Sequence, residues 1–100
     1  MSLQTITDAV KARAADLAGL NARVRFDLGD TGSILVDATT MPPVVSDEDG
    51  EVDCTVRLSV EDLEKLLAGA LNPTLAYTLG KLKIDGSMGI AMKLASMLDE

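Results

Sequence analysis

Alternation constrains this chain more than any other feature. Val24, Phe26 and Leu28 alternate with Arg23, Arg25 and Asp27, and Val52, Cys54, Val56 and Leu58 alternate with Asp53, Thr55 and Arg57. Successive side chains of a strand point to opposite faces, so each segment predicts a strand with one buried and one wet face. Ile34, Val36 and Ala38 repeat the pattern after "GDTG" at residues 29–32, which predicts the returning arm of a hairpin. Leu82 and Ile84 against Lys81, Lys83 and Asp85 predict a last strand. Strands that each keep a polar face belong to an antiparallel-rich sheet covered on one side only.

The covering elements are helical. Residues 4–18 place Ile6, Val10, Ala14, Leu17 and Ala18 on one side and Lys11, Arg13 and Asp16 on the other, with Gly19 near the expected stop. Ser59 opens S-V-E-D, a capping-box spacing with Asp62 in the place usual for Glu, and Val60, Leu63, Leu66 and Leu67 form the stripe of the helix behind it. Gly69 ends that helix. Asn72-Pro73 starts another, with Asn as cap and Pro at the first helical position, and Gly80 closes it. Met41-Pro42-Pro43 and the polar turn "SDEDGE" flank Val44-Val45, a short edge strand. The order of helix, strands, two helices, strand and helix predicts an α+β fold of two layers.

The final helix poses the functional question. Capped by Ser87, it holds Met88, Ile90, Ala91, Met92, Leu94, Ala95, Met97 and Leu98, with only Lys93 and Ser96 polar before the acidic end. A surface helix normally shows one apolar stripe. Either a small domain uses all of this as core, or some of it faces a ligand. Three methionines favour the second reading slightly, because unbranched thioethers repack around different shapes, and Gly89, Ala91 and Ala95 leave volume beside them.

Catalytic chemistry is hard to find. The chain has no histidine, the commonest general base and metal ligand. Cys54 shares its phase with Val52 and Val56, which reads as a small buried hydrophobe, and a single cysteine suits a reducing compartment. Asp47, Asp49, Glu51 and Asp53 alternate like a cation loop, but Gly50 is misplaced for the Ca²⁺ pattern, so no metal and no cofactor are expected. With Phe26 and Tyr77 the only aromatics, the core of this 100-residue single domain must be aliphatic. A net charge of −7 argues against nucleic acid. Its distribution is uneven: residues 44–64 carry eight acids against Arg57, whereas residues 65–98 carry Lys65, Lys81, Lys83 and Lys93 against Asp85. That basic third is either a solvated face or a docking surface for anionic head groups, with transient membrane contact. No apolar run approaches the ~18 residues of a membrane span. The start "MSLQTITDAV" predicts no secretory signal, and a cytoplasmic location is expected.

The segment "NPTLAYTLGKLKIDGSMGIAMKLASML", residues 72–98, carries a resemblance. With Val56 to Leu58, Ser59, Asp62-Leu63, Leu66, Gly69 and Leu71, it resembles the sterol carrier protein 2 family of nonspecific lipid-transfer domains. The motifs are Gly80-Lys81-Leu82-Lys83-Ile84, Gly86, Met88-Gly89 and Ala91-Met92-Lys93-Leu94; they cover about half the chain closely, and the order of the other elements agrees. Tyr77 replaces a usual phenylalanine, and Leu79 stands where a polar glutamine is frequent. The end at Leu98-Asp99-Glu100 lacks the peroxisomal Ser-Lys-Leu-type signal of eukaryotic members.

The resemblance implies a mostly antiparallel five-stranded sheet with helices on one face, and an apolar tunnel between them closed by the C-terminal helix. It implies a lipid partner: a sterol, a fatty acyl chain, an acyl-CoA or a quinone-like molecule. The candidate ligand-binding residues are Leu63, Leu66, Leu67, Leu75, Ala76, Leu79, Leu82, Ile84, Met88, Ala91, Met92, Leu94, Ala95 and Leu98, with no catalytic residue among them. The expected function is a noncatalytic lipid carrier over residues 1–100. The alternative is an accessory interaction module that keeps the fold but grips a partner protein with the apolar helix.

Overall fold

The structure, a computed structural model, describes residues 3–47 and 50–98. Its elements are α1 (Leu3–Arg13), β1 (Arg23–Asp27), β2 (Ser33–Asp37), β3 (Val44–Ser46), β4 (Cys54–Arg57), α2 (Val60–Leu67), α3 (Pro73–Thr78), β5 (Lys83–Gly86) and α4 (Met88–Leu98). The strands form one five-stranded sheet in the order β3-β2-β1-β4-β5. Three pairs are antiparallel, and the central β1–β4 pair is parallel. The fold is α+β with a mostly antiparallel sheet.

The alternation read from the sequence decides which face is covered. Val24 and Phe26, Ile34 and Val36, and Cys54 and Val56 are all buried, and they pack with Ile6, Val10, Leu63 and Leu66 of α1 and α2 in one core. The opposite phase carries ion pairs. Arg23 meets Asp37 at 3.3 Å, and Arg57 lies 3.5 Å from Asp27 and 3.4 Å from Asp85. On the same wet face Arg25 donates from Nη2 to the carbonyl of Gly50, a residue between β3 and β4, at 2.5 Å. Glu48 and Asp49 of the acidic turn lie outside the described residues.

Local caps place the helices. Ser59 Oγ accepts from the Asp62 N–H at 3.1 Å, Asn72 Oδ1 from the Leu75 N–H at 3.1 Å, and Ser87 Oγ from the Ile90 N–H at 3.3 Å. Beyond α3, Gly80 adopts φ +77°; its N–H reaches the Tyr77 carbonyl at 3.1 Å and the Lys81 N–H reaches the Ala76 carbonyl at 2.9 Å, a Schellman closure. The same arrangement at Gly69 and Ala70 ends α2.

Three boundaries differ from the periodicity. The first helix stops at Arg13 and tightens into a 3₁₀ turn, Ala14–Leu17. There the Arg13 side chain reaches Asp16 at 2.6 Å and donates to the Leu67 carbonyl, tying the end of α1 to α2. β5 begins at Lys83 rather than Lys81, because the Lys81 N–H is already spent on closing α3. β4 is shorter than the alternation of residues 52–58, although the Asp53 and Leu58 N–H groups still bond to the Arg23 and Asp27 carbonyls.

Candidate functional site

Between α3, α4 and the β1–β4–β5 side of the sheet lies a cavity of about 450 Å³. Its floor is one cross-strand row: Phe26 pairs with Val56, and Val56 pairs with Ile84. Leu66 of α2 and Leu82, just before β5, extend the floor. One wall is Pro73, Thr74 and Tyr77 of α3; the other is Met88, Ala91, Met92, Leu94, Ala95, Ser96 and Leu98 of α4.

Helical spacing explains why α4 is apolar nearly all round. Met88, Ala91, Met92 and Ala95 recur at three- and four-residue intervals and line the cavity, while Ile90 and Met97 pack against the core. Leu94 and Leu98 are buried and serve both surfaces. The two alanines set the gap, because larger side chains there would fill it. Met92 is 70% exposed and Met88 45%, so the thioethers rim an opening. The lining offers hydrogen bonds through the Thr74, Tyr77 and Ser96 hydroxyls and is otherwise hydrocarbon and thioether.

Of the residues expected to contact a ligand, Leu66, Leu82, Ile84, Met88, Ala91, Met92, Leu94, Ala95 and Leu98 surround this cavity. Leu63, Leu67 and Ala76 do not: they are buried in the core. Leu75 and Leu79 do not either, being 51% and 59% exposed on the outside of α3 and its C-cap. On α3 the lining positions are Pro73, Thr74 and Tyr77, a phase that the short helix "PTLAYT" is too brief to reveal. Phe26 and Val56 were missed for another reason. Their place beside Ile84 depends on the parallel β1–β4 pairing, which leaves no signature in either strand.

A second cavity of about 230 Å³ is lined by Arg13, residues 68–73 and Leu98, and shares Pro73 and Leu98 with the first. Its cation is committed: Arg13 is held by Asp16 and by the Leu67 carbonyl. Cys54 is buried and does not line the main cavity. Burial, reinforced by Asp85 and Asp53, pushes its thiol up, so the nucleophilic thiolate is disfavoured. Hydrogen bonds from the Thr39 hydroxyl and N–H, together with Arg23, hold Asp37 below the usual carboxylate range. This is a turn on the wet side of the sheet. Among the described residues no three acidic, histidine or cysteine side chains approach closely enough to hold a metal, and no helix is long and apolar enough to cross a membrane. The basic third also divides. Lys93 turns its Nζ to 3.5 Å from the Leu20 carbonyl, away from the mouth, whereas Lys81 and Lys83 are exposed just beyond α3.

The five-stranded sheet with its four helices agrees with what comparison finds. The model of the SCP-2 sterol transfer family matches residues 3–99. Sterol carrier protein 2 of Rattus norvegicus is 48% identical over 54 residues, which are 54% of this chain and 10% of that protein, so the match spans about a tenth of the relative's length. The solution structure of sterol carrier protein domain 2 of Helicoverpa armigera superposes with a TM-score of 0.73 at 28% identity, covering 95% of this chain and 83% of that one. Sterol carrier protein 2 of Aedes aegypti, solved in complex with the C16 fatty acid palmitate, gives a TM-score of 0.70 at 20% identity over 98% of this chain and 96% of its own; at that identity the likeness is one of fold. With the family model spanning nearly every residue and the sheet and helices in the same arrangement, the chain belongs to the SCP-2 sterol transfer family.

Proposed function

We propose that residues 1–100 form one noncatalytic lipid-binding and lipid-transfer domain that holds an acyl or sterol-like ligand in the α3–α4 cavity, with α4 as the element that closes over it. The observation that carries the reading is the cavity itself. Its volume, about 450 Å³, falls within the ~300–1,000 Å³ usual for small-molecule sites. Its walls are aliphatic side chains, Phe26 and methionines, with three hydroxyls. A hydrocarbon chain gains ~0.8 kcal/mol for each methylene removed from water, so ten or so methylenes give useful affinity after ordering losses. That driving force is desolvation and asks nothing of an acid or base. The family supports the same class of ligand, since the Aedes aegypti relative was solved with palmitate.

Within the site, Ala91 and Ala95 make room for the chain, and Met88 and Met92 adapt to its shape. The hydroxyls of Thr74, Tyr77 and Ser96 serve the polar end of an amphiphile. Titration of the purified protein with a fluorescent fatty acid should saturate near one per chain, and native mass spectrometry should retain a bound lipid mass. Ala95→Phe fills the cavity and should abolish probe binding while the protein stays folded. A folded protein that binds no acyl probe and self-associates through α4 would instead support the interaction-module reading.

A further inference from the structure

The sheet ends at β5, and that end is open. β5 pairs with β4 on one side, and in the order β3-β2-β1-β4-β5 no strand follows it. Backbone groups of a strand alternate between its two sides, so half of those in Lys83–Gly86 face outward. Among the described residues none of these outward groups meets a backbone partner.

An open edge is a template for another strand, and proteins commonly blunt it with charge. Here the charge alternates in sign. Lys83 and Asp85 are exposed on the wet face, and half-buried Ile84 lies between them on the cavity face. Lys83 is also poorly served within its own chain. It stands directly opposite Arg57 in the β4–β5 register, and like charges facing across a ladder destabilise it. Arg57 turns instead to Asp27 and Asp85, and among the described residues Lys83 has no ion pair.

We propose that β5 is a dimerisation edge: two copies of this chain pair β5 to β5, antiparallel about a two-fold axis at Ile84. A two-fold through the sheet keeps every residue on its own face, so the axis must pass at a residue. An axis at Lys83 sets lysine against lysine, and one at Asp85 sets acid against acid. Only the axis at Ile84 places Lys83 opposite Asp85 of the second copy, twice over, with isoleucine against isoleucine. The strand thus specifies its partner, since any other chain would have to supply base, apolar residue and acid in that same order. Elsewhere the chain repels its copy. It is net −7, and β3, the other edge, leads into Asp47, Glu48, Asp49 and Glu51. Pairing at β5 makes one continuous sheet and joins the floors of two cavities at Ile84. The contact needs no bound ligand and stands apart from the carrier reading. With four residues in β5 it is small, which places the dimer among weak, transient associations.

Sedimentation equilibrium of the ligand-free protein tests it from about 1 μM to about 1 mM, the span of weak association. Wild type should pass from monomer to dimer within that range, and added salt should favour the monomer. Lys83→Asp sets acid against acid and should weaken the dimer roughly tenfold. Its thermal midpoint should not fall, because a carboxylate then faces Arg57 within the same chain. Asp85→Lys sets base against base and should weaken the dimer likewise. Mixing these two variants should give a heterodimer at least as tight as the wild-type dimer, and both substitutions in one chain should restore association. Lys65→Asp on α2 makes the same change in net charge and should have little effect. A protein that stays monomeric throughout overturns the proposal. So does a dimer that Lys83→Asp weakens no more than Lys65→Asp, or a mixture of the two edge variants that forms no heterodimer.

Discussion

The α1–α2 side of the molecule and the α3–α4 side are built from the same aliphatic residues and use them differently. On the first, Ile6, Val10, Val24, Ile34, Val36 and Leu63 are each at most 1% exposed, and the space between helices and sheet is filled. On the second, Met88 and Met92 stand 45% and 70% exposed around a cavity of about 450 Å³. Interiors normally pack at crystal-like density. A 100-residue domain that fills one half and leaves the other open has divided the work, with rigidity on one side and room on the other. The two sides meet at the floor row Phe26–Val56–Ile84, whose first two members belong to the buried core.

The sharpest way to break this comparison is to delete equal bulk from each side. Leu63→Ala should lose about 2–5 kcal/mol of stability in urea unfolding, because the site is fully enclosed and collapses poorly. Met92→Ala should stay within about 0.5 kcal/mol, as exposed positions do, while fatty-acid binding changes. Equal losses in the two variants would mean that α4 is ordinary core.

Gly86→Ala tests how firmly the open side is pinned to the sheet. Gly86 has φ +103°, and a Cβ there would sit 2.7 Å from the Asp53 carbonyl oxygen and 3.2 Å from the Cys54 Cα. Backbone must move, and a cost of about 1–3 kcal/mol in thermal unfolding is expected. An unchanged midpoint would show that the β4–β5 junction is slack.

Helix caps give a smaller contrast. Ser59→Ala removes the 3.1 Å acceptor that starts α2 and should lower stability by ~1 kcal/mol. Ser87→Ala at the start of α4 removes a longer 3.3 Å bond and should cost less. Paired denaturation curves measure both; the reverse order would place the tighter anchorage on the cavity side.

The smallest effect belongs to the wet side of the sheet. The folded-state pKa of Asp37 is lowered, chiefly by the Thr39 hydroxyl, so its contribution is present above the ordinary carboxylate range and is lost as pH falls through the folded value. Asp37→Asn should therefore be slightly less stable than wild type at pH 7, and the gap should close in acid. A gap that persists at low pH would assign the loss to geometry rather than charge.

Much of this was legible from particular residues. Alternation at Val24–Phe26, Ile34–Val36 and Cys54–Val56 marked the buried faces, Val44-Val45 marked an edge strand, and Ser59, Asn72 and Ser87 marked three helix starts. Conserved spacing was not needed for any of these, because caps and strand phase act within a few residues. The residues expected around a ligand on α4 do surround the cavity, whereas on α3 Leu75 and Leu79 face outward and Pro73, Thr74 and Tyr77 line it. Six residues give too little periodicity to fix which side of a helix faces in.

By itself, then, the amino-acid order determined the elements, their wet and dry faces, an excess of apolar surface at the C-terminal end, and a separation of charge between residues 44–64 and residues 65–98. The tertiary structure alone decided that β1 and β4 run parallel, that Phe26, Val56 and Ile84 form one floor, that Leu63 and Leu67 fill the core, and that Lys93 turns to Leu20 while Lys81 and Lys83 stay exposed beyond α3. The physical reason is range. Periodicity and capping are local properties of the backbone, whereas a cavity is defined by what the opposite element fails to fill, and that depends on which distant segments the fold places across from one another.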